Sequence, residues 1–284
     1  MTSSHTPISQ PPRGFVDAVP RGIRRIEQAM GMAVIFELAD PGIGPDPVEA
    51  AMNWLRWVDA TFSTYRRESE ISRLNHGELD RSAVHADVAA VLAQCEELRG
   101  LTRGYFDITA PYGVNGNGPE PGRGGPGSVD PSGYVKGWAV ARAADILTDA
   151  GARNFSVSAG GDLVVRGHPD GDTVWRAGIQ HPRSARDIAL TLGISDAAVA
   201  TSATYSRGEH IRDPHTAAAP AGLLSVTITG PDLALADTYA TAAFAMGAQR
   251  GGAWCAQLPG GYDAVLICDD DTVLTTPGIN RLRV

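Results

Sequence analysis

Along the chain the apolar positions change period between Asp130 and Asp162, and this change marks the stretch on which the rest is organised. Val140, Ala143, Ala144 and Leu147 recur at helical spacing, Gly151 stands where such a helix stops, and apolar residues begin to alternate at Phe155. The pattern predicts a loop over 129–136, a helix to about Leu147, a turn, a strand from Asn154 and a turn at Gly160-Gly161. Upstream, Ile26 to Leu38 reads as one strand interrupted at Gly31, where the backbone either approaches a ligand closely or forms a bulge. Pro47 opens a helix with Val48, Met52, Leu55, Val58 and Phe62 on one face. A polar loop follows from Phe62 to Asn75, and a second amphipathic helix runs from Asp87 through Leu92 and Cys95 to about Thr102.

Gly104 to Thr109 has the look of a short aromatic strand end. From Tyr112 to Ser128 the Gly/Pro-rich composition cannot form a packed element, so a flexible loop is expected. Leu163–Gly167, Val174–Ile179 and Ile188–Leu192 then read as a β meander. Ala198 to Thr216 reads as a hydroxyl-rich loop bearing His210 and His215, and Leu224 to Thr229 as a strand. A third helix spans about Leu233 to Met246, and strands near 262–268 and 272–275 close the chain. Helices alternating with antiparallel strand groups predict an α+β class. The expected organisation is a disordered tail over 1–22 and a single domain over 23–284, built as two intimate subdomains.

Composition narrows the function. With 43% hydrophobic and 20% charged residues the chain is of the globular type. A net charge of −8 without a basic stripe argues against nucleic acid as partner. Cys95, Cys255 and Cys268 form no C-x-x-C pair, which fits a reducing compartment. No run of about eighteen apolar residues predicts a membrane span, the Ser/Pro-rich N-terminus lacks a signal-peptide core, and no cysteine stands there for a lipid anchor. A cytoplasmic protein is expected.

Two constellations carry candidate chemistry. Asp130 and Lys136 flank a Gly-bearing loop at a helix N-terminus, where unpaired N–H groups and the helix dipole favour a phosphate; an ordinary amphipathic helix entry reads the same way. Asp237 and Thr241 lie four residues apart on one helix face and suit a hard cation such as Mg²⁺, or equally an Asp–Thr hydrogen bond on a solvated face. Tyr65, in the polar loop, either stacks on a flat ring or plugs the core.

Several short motifs occur together: Met30-Gly31; Ser63-Thr64-Tyr65 with Ser69-Glu70-Ile71-Ser72-Arg73-Leu74-Asn75; Gly104-Tyr105-Phe106-Asp107; Val129-Asp130 with Lys136-Gly137; Ala159-Gly160-Gly161-Asp162; Ala200-Thr201-Ser202; His210-Ile211 with Asp213-Pro214; and Ala236-Asp237 with Ala240-Thr241. In this order and spacing they resemble the ApbE family, the FAD:protein FMN transferases, from about Met30 to Gly247. The resemblance implies an ApbE-like, T-fold-related architecture of mainly antiparallel or mixed sheets packed with helices. It implies FAD, as substrate, bound by Met30, Tyr65, Tyr105, Phe106, Asp107, Asp130, Lys136 and Ile211. It further implies Mg²⁺ held by Asp237, Thr241 and the carbonyls of Gly133 and Ala240, with His210 as the base that deprotonates an acceptor hydroxyl. FMN would pass to a Thr or Ser of an acceptor flavoprotein carrying a Ser/Thr-Gly-Ala-Thr-like motif, with release of AMP. That tetrapeptide is absent from this chain, so the acceptor is a different protein. Departures from the family pattern fall at Pro131, Ser132, Arg212, His215 to Pro220 and the Gly/Pro loop, while the metal pair is intact. Two alternatives share the pocket: an Mg²⁺-dependent FAD pyrophosphatase yielding FMN and AMP, and a non-catalytic FAD-binding protein.

Overall fold

A computed structural model of the chain describes residues 22–109, 127–204 and 211–284. Most of the predicted tail and Gly/Pro loop, together with His210, lie outside the described residues.

The fold is α+β. Strands β1 (Ile23–Ala29), β2 (Met32–Leu38), β3 (Phe155–Ala159), β4 (Asp162–Arg166), β7 (Ala197–Ala203), β8 (Leu223–Gly230), β9 (Asp263–Cys268) and β10 (Val273–Thr275) form one sheet in the order β1-β2-β3-β4-β7-β8-β9-β10. Every neighbouring pair in it is antiparallel. Strands β5 (Trp175–Gln180) and β6 (Ile188–Ile194) make a separate two-stranded sheet.

Side chains of a strand alternate between its faces, so each central strand serves two cores. Val164, Ala200, Ile228 and Leu266 join the larger core with helices α1 (Asp46–Phe62), α3 (Ala86–Leu101), α4 (Ser132–Asp149) and α5 (Leu233–Cys255). Leu163, Val165, Val199, Val265 and Ile267 face the other way and meet Trp175, Ile179 and Leu192 of the β5–β6 hairpin and Ile279 of the short helix α6 (Ile279–Leu282). Among the described residues no helix is long and apolar enough to cross a membrane.

Several expectations change. The strand read across Gly31 is a hairpin, β1 turning into β2 through Met30 (φ 52°) and Gly31 (φ 73°), because two consecutive left-handed residues reverse a chain rather than bulge it. Part of the polar loop before Asn75 is a helix, α2 (Glu70–Asn75), whose first turn is capped by Ser69 Oγ accepting from Ser72 N at 3.0 Å. Residues 104–109 form turns, not a strand end: Arg103 and Gly104 are left-handed, and Thr102 Oγ1 accepts the Phe106 N–H at 3.1 Å. The β meander is divided, since β4 pairs with β7 and leaves β5 and β6 to each other; Trp175 must be buried on the face away from the helices. The hydroxyl-rich loop begins as strand β7, whose small residues pass close under α5. Helix α4 starts at Ser132, so Lys136 projects from its second turn instead of from a preceding loop. Helix α5 breaks where expected, at Gly247 (φ 74°, ψ 175°), then resumes to Cys255.

Candidate active site

Asn75 and Ile108 lock the segment that enters α4. Asn75, the last residue of α2, grips Val129, its amide donating to Val129 O at 2.9 Å and accepting from Val129 N at 2.8 Å. The next N–H, that of Asp130, is held by Ile108 O at 2.8 Å. The Asp130 carboxylate accepts from Ser132 N at 3.0 Å, satisfying one of the unpaired amides of the first helical turn.

One turn into α4, Gly137 has no side chain because there is no room for one. A Cβ there would lie 2.8 Å from Leu233 O and 3.1 Å from Asp237 Cβ. This contact brings α4 against the first turns of α5, which is itself capped by Asp232 Oδ1 accepting from Leu235 N at 2.8 Å. Lys136 and Asp237 are thereby placed 3.3 Å apart, Nζ to Oδ1. From the sheet side, the Gly160-Gly161 turn, both residues left-handed, delivers Asp162 at the start of β4, and its Oδ2 lies 2.7 Å from Lys136 Nζ. Asp162 Oδ1 accepts from Thr201 N of β7 at 3.3 Å. The following residue, Ser202, is 3.3 Å from Thr241, hydroxyl to hydroxyl.

Both carboxylates are buried, Asp162 with 0% and Asp237 with 4% of the side chain exposed, while Lys136 keeps 20%. Charges withdrawn from water are tolerated when paired and hydrogen-bonded, and their mutual attraction is stronger there than at a surface. Tyr134, on the same helix, is no candidate base. Burial, with the Asp232 carboxylate adding to it, pushes its phenol up to about 12.

The residues present fit a magnesium ion. Asp237 and Thr241 offer a carboxylate and a hydroxyl from one helix face, Ser202 adds a third oxygen beside Thr241, and hard oxygen donors are what Mg²⁺ takes. Among the described residues no group of three His, Cys, Asp or Glu is assembled for a metal. Mg²⁺ commonly binds through one or two carboxylates plus waters and substrate phosphates.

Of the other residues singled out from the sequence, Gly133 lies in the first turn of α4 and Ala240 is fully buried in α5. Tyr105 is joined to α5, its hydroxyl accepting from Arg250 Nη1 at 2.9 Å, and its ring stands edge-on to His215 with centroids 4.7 Å apart. His215 Nε2 is 3.1 Å from Arg103 O, which ties the segment after Ile211 to the 103–105 turn. Phe106 is wholly buried in the larger core, and its N–H donates to Thr102 Oγ1 at 3.1 Å. Asp107 pairs with Arg99 at 3.0 Å and caps Thr109 N at 2.8 Å. Met30 is at the β1–β2 turn, Tyr65 is 67% exposed and Ile211 is buried. His210 lies outside the described residues. Asp162 and Ser202 stand in two of the quoted motifs but receive no site role from the sequence; the signals for one were the Gly-Gly turn that aims Asp162 and the Thr201-Ser202 pair in β7.

The model of the ApbE family matches residues 30–122 and 120–266. An FAD:protein FMN transferase of Vibrio cholerae is 31% identical over 242 residues, covering 69% of this chain and 72% of that protein. One of Haemophilus influenzae is 26% identical over 246 residues, 69% and 71% of the two chains. Among solved structures, the flavin transferase ApbE of Vibrio cholerae superposes with a TM-score of 0.78 at 27% identity over 92% of this chain and 98% of that one. The ApbE protein of Thermotoga maritima shares the fold, with a TM-score of 0.80 at 22% identity over 92% and 99%.

Proposed function

The chain belongs to the ApbE family, and from that premise we propose that this transferase moves FMN from FAD to a Thr or Ser hydroxyl of an acceptor protein, releasing AMP. The observation that carries the reading is the meeting of Lys136, Asp237 and Thr241, with Asp162 and Ser202, at the contact of two helices and the sheet.

A diphosphate brings several negative oxygens, and a site that attacks it needs positive charge fixed in advance. Lys136, 20% exposed beside two buried carboxylates, would supply the positive charge that the diphosphate meets. Asp237 and Thr241, with the carbonyls of Gly133 and Ala240, would hold Mg²⁺, which when bound neutralises the diphosphate and makes its phosphorus more electrophilic. Met30, Tyr65, Tyr105, Phe106, Asp107, Asp130 and Ile211 would orient the nucleotide and flavin. His210 would take the proton of the acceptor hydroxyl as its oxygen attacks the phosphorus next to riboflavin. The new phosphoester bond forms while the bond to the bridging oxygen breaks, and AMP leaves with that oxygen.

The test is an incubation of the purified chain with FAD, Mg²⁺ and a protein domain containing Ser/Thr-Gly-Ala-Thr. A fluorescent flavin surviving denaturation on the acceptor, matched by an equal yield of AMP, is the expected result. Sustained production of FMN and AMP without acceptor, and no labelled acceptor, would make the activity a hydrolysis instead.

A further inference from the structure

We propose that Asp162 is a positioning residue that draws the Lys136 ammonium away from Asp237 and so keeps the Asp237 carboxylate available to a divalent cation; this rests on the metal reading above. Lys136 Nζ is closer to Asp162, at 2.7 Å, than to Asp237, at 3.3 Å. Asp162 is well fixed for holding it. Its backbone is paired with Ala159 across a two-glycine turn, its Oδ1 is engaged by the Thr201 N–H of the next strand, and its Oδ2 faces the ammonium. Asp237, by contrast, is on the helix that also presents Thr241 and Ser202's hydroxyl contact, the side where neutral oxygens gather.

An ammonium and a dication both seek the Asp237 carboxylate, and in a buried site of low effective dielectric a nearby cation strongly opposes the second one. A lysine stem is flexible and its ammonium can donate in three directions, so where it rests is decided by which acceptors hold it. Replacing the Asp162 charge by a neutral amide leaves Asp237 as the nearer anion, and the ammonium moves onto it. Partners behind the ligands of a metal typically change its affinity about 10–100-fold.

Mn²⁺, whose free ion gives an electron paramagnetic resonance signal, is titrated into the full chain without FAD, with circular dichroism and thermal unfolding recorded for each variant. Asp162→Asn is expected to weaken Mn²⁺ binding about tenfold or more. The double variant Asp162→Asn/Lys136→Met is expected to regain binding at least as tight as the parent, because no ammonium remains to compete. Unchanged binding in Asp162→Asn overturns the proposal, and so does a double variant as weak as Asp162→Asn, since the carboxylate would then act on the cation itself or only on the fold. Should Asp162→Asn fail to fold, Lys136→Met alone decides: several-fold tighter binding supports the proposal, and equal or weaker binding overturns it. A parent chain that takes up no Mn²⁺ would remove the metal reading, a failure distinct from one seen only in the variants.

Discussion

A single side-chain amide, that of Asn75, satisfies both the N–H and the C=O of Val129, 54 residues away in the chain, at 2.8 and 2.9 Å. It behaves as a strand partner one residue long, and the residue it fixes immediately precedes Asp130. Asn75→Ala leaves a half-buried backbone donor and acceptor without this partner, a loss of about 1–3 kcal/mol. The expected result is a lower urea midpoint and a several-fold higher KM for FAD with a smaller change in kcat. An unaltered KM would separate Asn75 from the nucleotide site.

Asp237→Ala should abolish transfer without unfolding the chain, since Asp237 is the carboxylate paired in geometry with Thr241 and its side chain fills little of the hydrophobic core. Turnover at high Mg²⁺ and the thermal midpoint are the two measurements. Near-normal turnover would defeat the metal assignment.

His210 and His215 make opposite predictions. As general base, His210→Ala should lower kcat by roughly a hundredfold or more while FAD affinity is nearly unchanged. His215 packs on Tyr105 and reaches Arg103 O, so His215→Ala should act mainly on KM by loosening the 103–105 turn. Pre-steady-state transfer rates and FAD titrations distinguish them; equal loss of kcat in both would rule out the role given to His210.

Gly137→Val would push a side chain into Leu233 O and Asp237 Cβ, within 2.8 and 3.1 Å of its first carbon. Backbone and a capped helix start cannot yield cheaply, so a destabilisation of about 1–3 kcal/mol is expected, with transfer falling further than stability explains because Lys136 and Asp237 are forced apart. Urea unfolding and activity on the same preparation test this.

Alkaline pH should unfold the chain for reasons located in its core. Burial pushes the Cys95 and Cys255 thiols from 9.0 to about 12, and burial followed by Asp232 takes the Tyr134 phenol from 10.0 to about 12. Between these limits the unfolded chain loses protons that the folded chain retains, so stability present in full below about pH 9 is lost as the pH rises toward 12. The urea midpoint measured from pH 7 to 11 should fall over the upper part of that range, and the buried thiols should resist alkylation in native protein at pH 8.

Periodicity is a local property, and what it encodes was readable along the chain. Val48, Met52, Leu55 and Val58 announced α1, Val140 to Leu147 announced most of α4, and the left-handed break at Gly247 ended the first part of α5 where the apolar spacing stopped. The Asp237/Thr241 pair needed only the pitch of a helix to be recognised, and the ordered motifs sufficed to identify the family. What the tertiary structure decided was which distant residues meet. Strand β4 could continue into a meander with β5 or pair with β7; the choice fell on β7 because Leu163 and Val165 need Trp175 and Leu192 above them on one face, while Val164 needs the helices on the other. Likewise Lys136 and Asp130 were legible as a charged loop at a helix start, yet Asp162, 26 residues on by numbering and across a glycine turn, lies 2.7 Å from Lys136 Nζ, closer than Asp237 at 3.3 Å. Apolar pattern is written residue by residue, but an ion pair exists only once two elements are packed to within a few ångströms, and the approach of Lys136 to Asp237 depends on the close contact between α4 and α5 that the absence of a side chain at Gly137 allows.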